Sequence, residues 1–246
     1  DGNVVGANIV NVALILGITA VLWPLPVHRS IVTRELPMLL LATCAVLLLS
    51  ADTWLGDSGI EQLGRADGLV LCLFFCVFLY YTVGSVMQSP RDPFIQEAVQ
   101  VAGDAPRPSP LIAVGLILLG LGGLGLGGNL VVDAAVAIAE LLGMSHGAIG
   151  LTIVAIGTTF PEMATSLLAA RRGDADLAVG NVVGSNIFNL LFVLGVAASV
   201  EPMTVPARGP AALIISLLLA IVLLVVCLRG AQRLSRAAGV FLLTLF

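Results

Sequence analysis

Residues 2–17 read GNVVGANIVNVALILG and residues 180–195 read GNVVGSNIFNLLFVLG, ten identities in sixteen positions at a constant offset of 178. A second echo, Arg65-Ala-Asp-Gly68-Leu69 against Arg236-Ala-Ala-Gly239-Val240, leads into an apolar run in each half. Repetition constrains a fold tightly, because whatever one copy buries the other must also bury. In an apolar chain it points to a transporter whose site lies between the halves. The first copy starts at the second residue with no methionine before it, so the sequence reads as a piece cut within a repeat unit, and Phe246 as a second cut within a helix.

Composition supplies the solvent. Hydrophobic residues make up 59% of the 246 and charged residues 11%, with a mean hydropathy of +1.09, far above soluble domains. A net charge of −4 without any basic cluster argues against nucleic acid as a partner. Cys44, Cys72, Cys76 and Cys227 sit in apolar runs and are expected to be buried, inert thiols. Runs suited to spanning fall at 4–23, 36–51, 68–87, 110–142, 148–170, 179–199 and 210–228, with a shorter one at 238–246. The run 110–142 is long and glycine-dense from Gly120 to Gly128, which leaves one tilted crossing or two short passes.

Arginine placement separates these. All eleven basic residues are Arg, and with one crossing nine of them fall on one face and only Arg65 and Arg208 on the other. Two crossings would even the split to five against six. The positive-inside rule selects one crossing, with the nine-Arg face cytoplasmic. Five steps, an odd number, then lead from the run 4–23 to the run 179–199, so the motif copies enter the membrane from opposite faces as an inverted repeat. Residues 88–109 form a polar, Pro-containing linker between a first unit, 1–87, and a second, 110–246. Within the linker, Phe94 to Val101 could form a short interfacial helix, although a solvated linker is the preferred reading.

The polar residues inside these runs carry the chemistry. GTTFPE at 157–162 puts Pro161 inside the run 148–170, which frees the carbonyl of Gly157 and opens the backbone. Thr158, Thr159 and Glu162 then share one region with that carbonyl, an oxygen-only set that suits a hard cation such as calcium. Glu162 alone could be a protonated carboxyl gluing helices together, but an intramembrane carboxylate beside a helix break more often marks an ion path. The two threonines alone would be hydroxyls bonded back to the helix, and they gain weight only from Glu162. In the second motif copy Asn181, Ser185 and Asn189 recur four apart, matched by Asn3, Ala7 and Asn11 in the first. Recurrence favours a ligand role for Ser185, Asn189 and Asn11. Asn8 and Asn186 lie off that face and read as interhelical glue, while Gly2, Gly6, Gly180 and Gly184 read as points of close helix approach. Asp133, Glu140, His28 and His146 rank lower, as snorkelling or solvated groups.

At these residues the chain resembles the cation/calcium exchanger superfamily, most closely its bacterial sodium/calcium antiporter branch. Residues 150–195 carry that family's GT-[ST]-x-P-E helix followed by its G-N-x-x-G-S-N-[IL]-x-[ND] helix. The resemblance implies an all-α polytopic membrane protein with the inverted-repeat exchanger fold, five plus five helices when complete and about seven full spans plus a partial one here. It implies calcium exchanged for sodium by alternating access, with Glu162, Thr158, Thr159, Ser185 and Asn189 binding the ions. Asn11 and the Gly157 carbonyl join them on the reading of the residues. Ala7 replaces the serine expected in the first copy, and the acidic proline helix of the first repeat is expected upstream. No cofactor, enzyme activity or obligate protein partner is expected. The partners are the lipid bilayer and the transported ions, and the location a bacterial inner membrane. A proton- or potassium-coupled exchanger of the same fold, or a non-transporting membrane scaffold, are the competing readings.

Overall fold

The structure is a computed structural model that describes residues 2–51, 62–88, 109–141, 143, 157, 159–205, 209–229 and 232–246. Six helices among these are long and apolar enough to cross a membrane: Val4–Leu22, Ile31–Leu49, Arg65–Gly84, Pro110–Ile138, Ala175–Val200 and Gly209–Arg229. Two shorter helices join them, Phe160–Arg171 and Arg236–Thr244. The glycine-dense run forms one unbroken helix, Pro110–Leu141, of 32 residues. That continuity agrees with the single crossing the arginine count selects and not with two passes. Residues 89–108, with the short linker helix considered at 94–101, and residues 144–156, including His146, lie outside the described residues.

Each half places its motif on one long helix with the same internal irregularity. The first motif helix runs through Gly2–Ile9, a π-helical segment Val10–Ile15, and Leu16–Leu22. The second runs through Ala175–Phe188, a π-helical segment Asn189–Val193, and Leu194–Val200. At the repeat offset, Asn11 corresponds to Asn189 and Ile15 to Val193, so both copies widen the helix at the same residues. Short π segments of this kind concentrate at functional sites.

Four two-residue strands repeat the symmetry. β1 (Leu25–Pro26) pairs antiparallel with β4 (Arg233–Leu234), and β2 (Gln62–Leu63) with β3 (Met203–Thr204). Leu25 opposes Leu234 in one pair and Met203 opposes Leu63 in the other, which is the same register carried over by the repeat. The first pair joins two loops on the nine-Arg face, where the His28 amide also donates to Asp176 Oδ1 at 2.9 Å. The second pair joins two loops on the opposite face. Loops assigned to one side by arginine count are thus hydrogen-bonded to each other.

The helices cross at glycines, but at different ones from those expected. A Cβ built on Gly68 would lie 2.5 Å from Ser199 N and 2.6 Å from Gly195 O. A Cβ on Gly239 would lie 2.7 Å from Gly17 O and 2.9 Å from Val21 N. Each half therefore packs the end of its motif helix against the last helix of the other half, backbone to backbone. By contrast, Cβ atoms on Gly6 and Gly184 would meet no described atom within 4 Å, and one on Gly180 only Glu35 Oε2 at 3.9 Å. Gly17 and Gly195 at the end of the motif mark the tight crossings, whereas Gly6, Gly180 and Gly184 do not. Their recurrence is real, but it does not coincide with the contact, because the crossings lie further along the same helices.

The cysteines also correct the sequence reading. Only Cys227 is buried; Cys44 and Cys72 are half-buried and Cys76 is exposed. In a chain solvated by lipid, an apolar setting does not imply burial, since the outer faces of spanning helices are apolar too.

Candidate functional site

The proline helix begins where the sequence breaks it. Thr159, at φ −97 and ψ 5, precedes the first turn, and the regular helix starts at Phe160. Pro161 occupies the opening turn, where its missing N–H costs nothing. The expected single helix over 148–170 is therefore a helix from Phe160 to Arg171, with helical geometry again at Gly157. Thr158 lies outside the described residues. Gly157 meets the side chain of Val132 so closely that no Cβ fits, which sets it against the long helix. Glu162 falls in the first turn, where the partial positive charge of the helix N-terminus favours a carboxylate.

The next turn fixes the second motif helix beside it. The proline helix ends at Gly173, at φ +87, a left-handed conformation that glycine adopts without a Cβ penalty. Asp174 Oδ1 then accepts from Leu177 N at 3.0 Å and caps the following helix. Across this hairpin Asn181 Nδ2 donates to the Glu162 carbonyl at 3.2 Å and to Ser166 Oγ at 3.0 Å. Asn181 thus ties the two helices together at the level of Glu162. Thr165 bonds back to the Pro161 carbonyl at 2.9 Å, so its hydroxyl is spent locally.

Between the two motif helices lies a buried amide network. Asn8 Nδ2 donates to the Asn186 carbonyl at 3.3 Å, and Asn186 Nδ2 donates to the Asn8 carbonyl at 3.1 Å. These residues occupy the same position in the two copies, and each bonds the main chain of the other. Asn11 Nδ2 donates to Asn186 Oδ1 at 2.8 Å, and Asn189 Nδ2 donates to Asn8 Oδ1 at 3.1 Å, again as an equivalent pair. One bond has no counterpart. Asn11 Nδ2 also donates to Ser185 Oγ at 3.2 Å, and Ala7 offers no oxygen for Asn189. Ser185 itself donates to the Val182 carbonyl at 3.0 Å.

Two buried side-chain oxygens among the described residues have no hydrogen-bond partner, Asn11 Oδ1 and Glu162 Oε2. One belongs to the first motif helix and the other to the proline helix, which pack together at the π segment Val10–Ile15. A buried acceptor without a donor costs about 1–3 kcal/mol, and more when charged. Uncompensated oxygens of this kind suit a bare cation, which needs acceptors and no donors. No group of three His, Cys or acidic side chains among the described residues could hold a metal by itself. An oxygen set here must therefore mix amide, hydroxyl and carbonyl groups with the carboxylate.

A family model described as "Sodium/calcium exchanger protein" matches residues 2–84 and 112–246. The chain belongs to the sodium/calcium exchanger family. Among relatives of the exchanger, the putative antiporter CaxA of Alkalimonas amylolytica is 38% identical over 248 residues, covering 100% of this chain and 75% of that protein. The inner membrane protein YrbG of Escherichia coli (strain K12) is 34% identical over 246 residues, covering 98% of this chain and 72% of that protein. A solved structure of the sodium-calcium exchanger NCX_Mj superposes with a TM-score of 0.75 at 28% identity, covering 99% of the exchanger and 73% of that chain. The inverted-repeat exchanger fold and the membrane setting follow from these matches.

Of the sequence-derived candidates, the structure brings Asn11, Ser185 and Asn189 into one network and sets Glu162 and Thr159 at the neighbouring helix start. Thr159 is buried. Asn8 and Asn186 are the interhelical glue that their place off the polar face suggests, each bonding the other's main chain. They are also the acceptors that hold Asn11 and Asn189. Their three-residue spacing from those residues, repeated in both copies, carried the signal; the four-residue rhythm obscured it, because the π segment changes which residues share a face.

Proposed function

We propose that this exchanger moves calcium against sodium across a bacterial inner membrane by alternating access. Glu162 and Asn11 supply the oxygens at the centre, joined by Thr158, Thr159, Ser185, Asn189 and the carbonyl of Gly157. The observation that carries this reading is the pair of buried, unpartnered oxygens, Asn11 Oδ1 and Glu162 Oε2, at the meeting of the two repeats. Calcium and sodium are substrates, and they compete for the same oxygens. A site that accepts either load but not both at once couples the two fluxes, since each ion must leave before the other binds. The location draws on the likeness to an inner membrane protein, and the lipid bilayer is the remaining partner.

The test is calcium uptake into proteoliposomes driven by an outward sodium gradient, repeated with protons or potassium as the sole driving ion. Sodium-driven uptake, abolished by Glu162→Gln, is the expected result. Uptake driven equally by protons or potassium would replace the coupling ion. Calcium binding unchanged by Glu162→Gln would remove the site altogether and leave the scaffold reading. Asn189 is neutral where an aspartate would add charge, which weighs against a potassium-coupled site.

A further inference from the structure

The amide network does more than join the repeats. A carboxamide is two-ended, with an oxygen that ligates a cation and an NH2 group that a cation repels, and Asn populates a broad range about its terminal torsion. An unrestrained asparagine at a cation site would present either end. Here the donor end of each candidate site amide is occupied, and the acceptor comes from the opposite repeat. Asn186 Oδ1 takes Asn11 Nδ2 at 2.8 Å, and Asn8 Oδ1 takes Asn189 Nδ2 at 3.1 Å. With its nitrogen held this way, Asn11 turns its oxygen to the side where no donor meets it. Asn8 and Asn186 are themselves fixed through their own amides, each donating to the other's main chain. Both are fully buried, at 0% and 1% exposure, so water does not compete for these bonds.

We propose that Asn8 and Asn186 are positioning residues which orient Asn189 and Asn11, so that only amide oxygen faces the transported cation. This rests on the cation-site reading above. The asymmetry between the halves makes it testable. Asn11 has a second acceptor in Ser185 Oγ, whereas Asn189 depends on Asn8 alone among the bonds described. Loss of Asn8 therefore frees its amide completely, and loss of Asn186 frees its amide in part.

The experiment measures calcium affinity and thermal unfolding of the full 246-residue chain in detergent for Asn8→Ala, Asn186→Ala, and Asn8→Ala combined with Ala7→Ser. Asn8→Ala is expected to weaken calcium binding about tenfold and Asn186→Ala by less, since one well-made buried bond is of that order. Adding Ala7→Ser places a hydroxyl where Ser185 stands in the other copy. It should restore most of the affinity but none of the lost thermal stability, because the bonds between Asn8 and Asn186 stay broken. A purely structural role would move affinity and stability together, and that result overturns the proposal. So does a wild-type affinity in both single variants while the wild type binds calcium. A wild-type chain that binds no calcium overturns the cation reading itself, and the proposal with it. Should Asn8→Ala fail to fold, Ala7→Ser in the otherwise unchanged chain serves: a second acceptor for Asn189 should tighten calcium binding about twofold, and unchanged or weaker affinity overturns the proposal.

Discussion

The two copies of the motif helix differ less in their shape than in what surrounds it. Both carry a π segment at the same residues, both lead into a two-residue strand in the same register, and both end against the last helix of the other half. Yet the second copy keeps Ser185 where the first has Ala7. It also packs aromatic rings, Phe188 and Phe192 around Phe75 with centroids 5.6 Å and 5.1 Å from it, where the first copy has Val10 and Leu14. The shared features are the backbone path and the reciprocal asparagine bonds, and the differences are confined to other side chains. The backbone sets the inverted architecture, and side chains are free to divide labour between the halves.

The glycine crossings test how far that equivalence extends. Gly68→Ala is expected to have the largest effect, because its new Cβ would meet main-chain atoms of Ser199 and Gly195 that cannot turn away. Overpacking of this kind costs about 1–3 kcal/mol, and a backbone-on-backbone clash belongs at the upper end. Gly239→Ala should cost less, since its Cβ would lie 2.7 Å from Gly17 O and 2.9 Å from Val21 N, each longer than the equivalent 2.6 Å and 2.5 Å at Gly68. Unfolding temperatures of the two variants in the same detergent decide the order. Equal losses would mean that the crossings are the same to within the room a helix can yield.

Much of this architecture was legible because it was written twice. The repeat offset, the apolar runs and the arginine count together gave an inverted pair, and the paired loops agree with that assignment. What spacing could not give was the local geometry. A four-residue rhythm assumes an unbroken α-helix, and the π segments at Val10–Ile15 and Asn189–Val193 break that assumption where the polar residues cluster. That rhythm sets Asn8 and Asn186 away from the site amides they hold. Likewise Gly6 and Gly184 suggest contact points as small residues recurring in the motif, although contact is decided by where two helices happen to cross. Glu162 was legible because a carboxylate in an apolar run is costly whatever its neighbours.

Those motif glycines give a prediction of opposite sign. In mid-helix, glycine costs about 0.5–1 kcal/mol relative to alanine through backbone entropy. No described atom lies within 4 Å of a Cβ placed on Gly184 or Gly6, so alanine there should raise stability in both halves by about that amount. A rise in unfolding temperature accompanied by a fall in calcium exchange would assign the space beside them to the working cycle. A fall in unfolding temperature would instead place an unseen neighbour against that face.

The smallest expected effect is the most direct comparison of the halves. A Cβ on Gly195 would meet Cys72 Sγ at 2.9 Å, while a Cβ on Gly17 would meet Leu243 Cγ at 2.8 Å, and Cys72 and Leu243 are equivalent under the second repeat offset. Cys72→Leu therefore gives the second crossing the side chain that the first already accommodates. If the crossings share one shape, the substitution should cost less than the ~1–3 kcal/mol that extra methylenes usually cost in a packed contact. A cost near 3 kcal/mol would show that the aromatic rings at Phe188 and Phe192 have drawn the second crossing closer than the first. The two halves would then be equivalent in backbone path but not in the room they leave between helices.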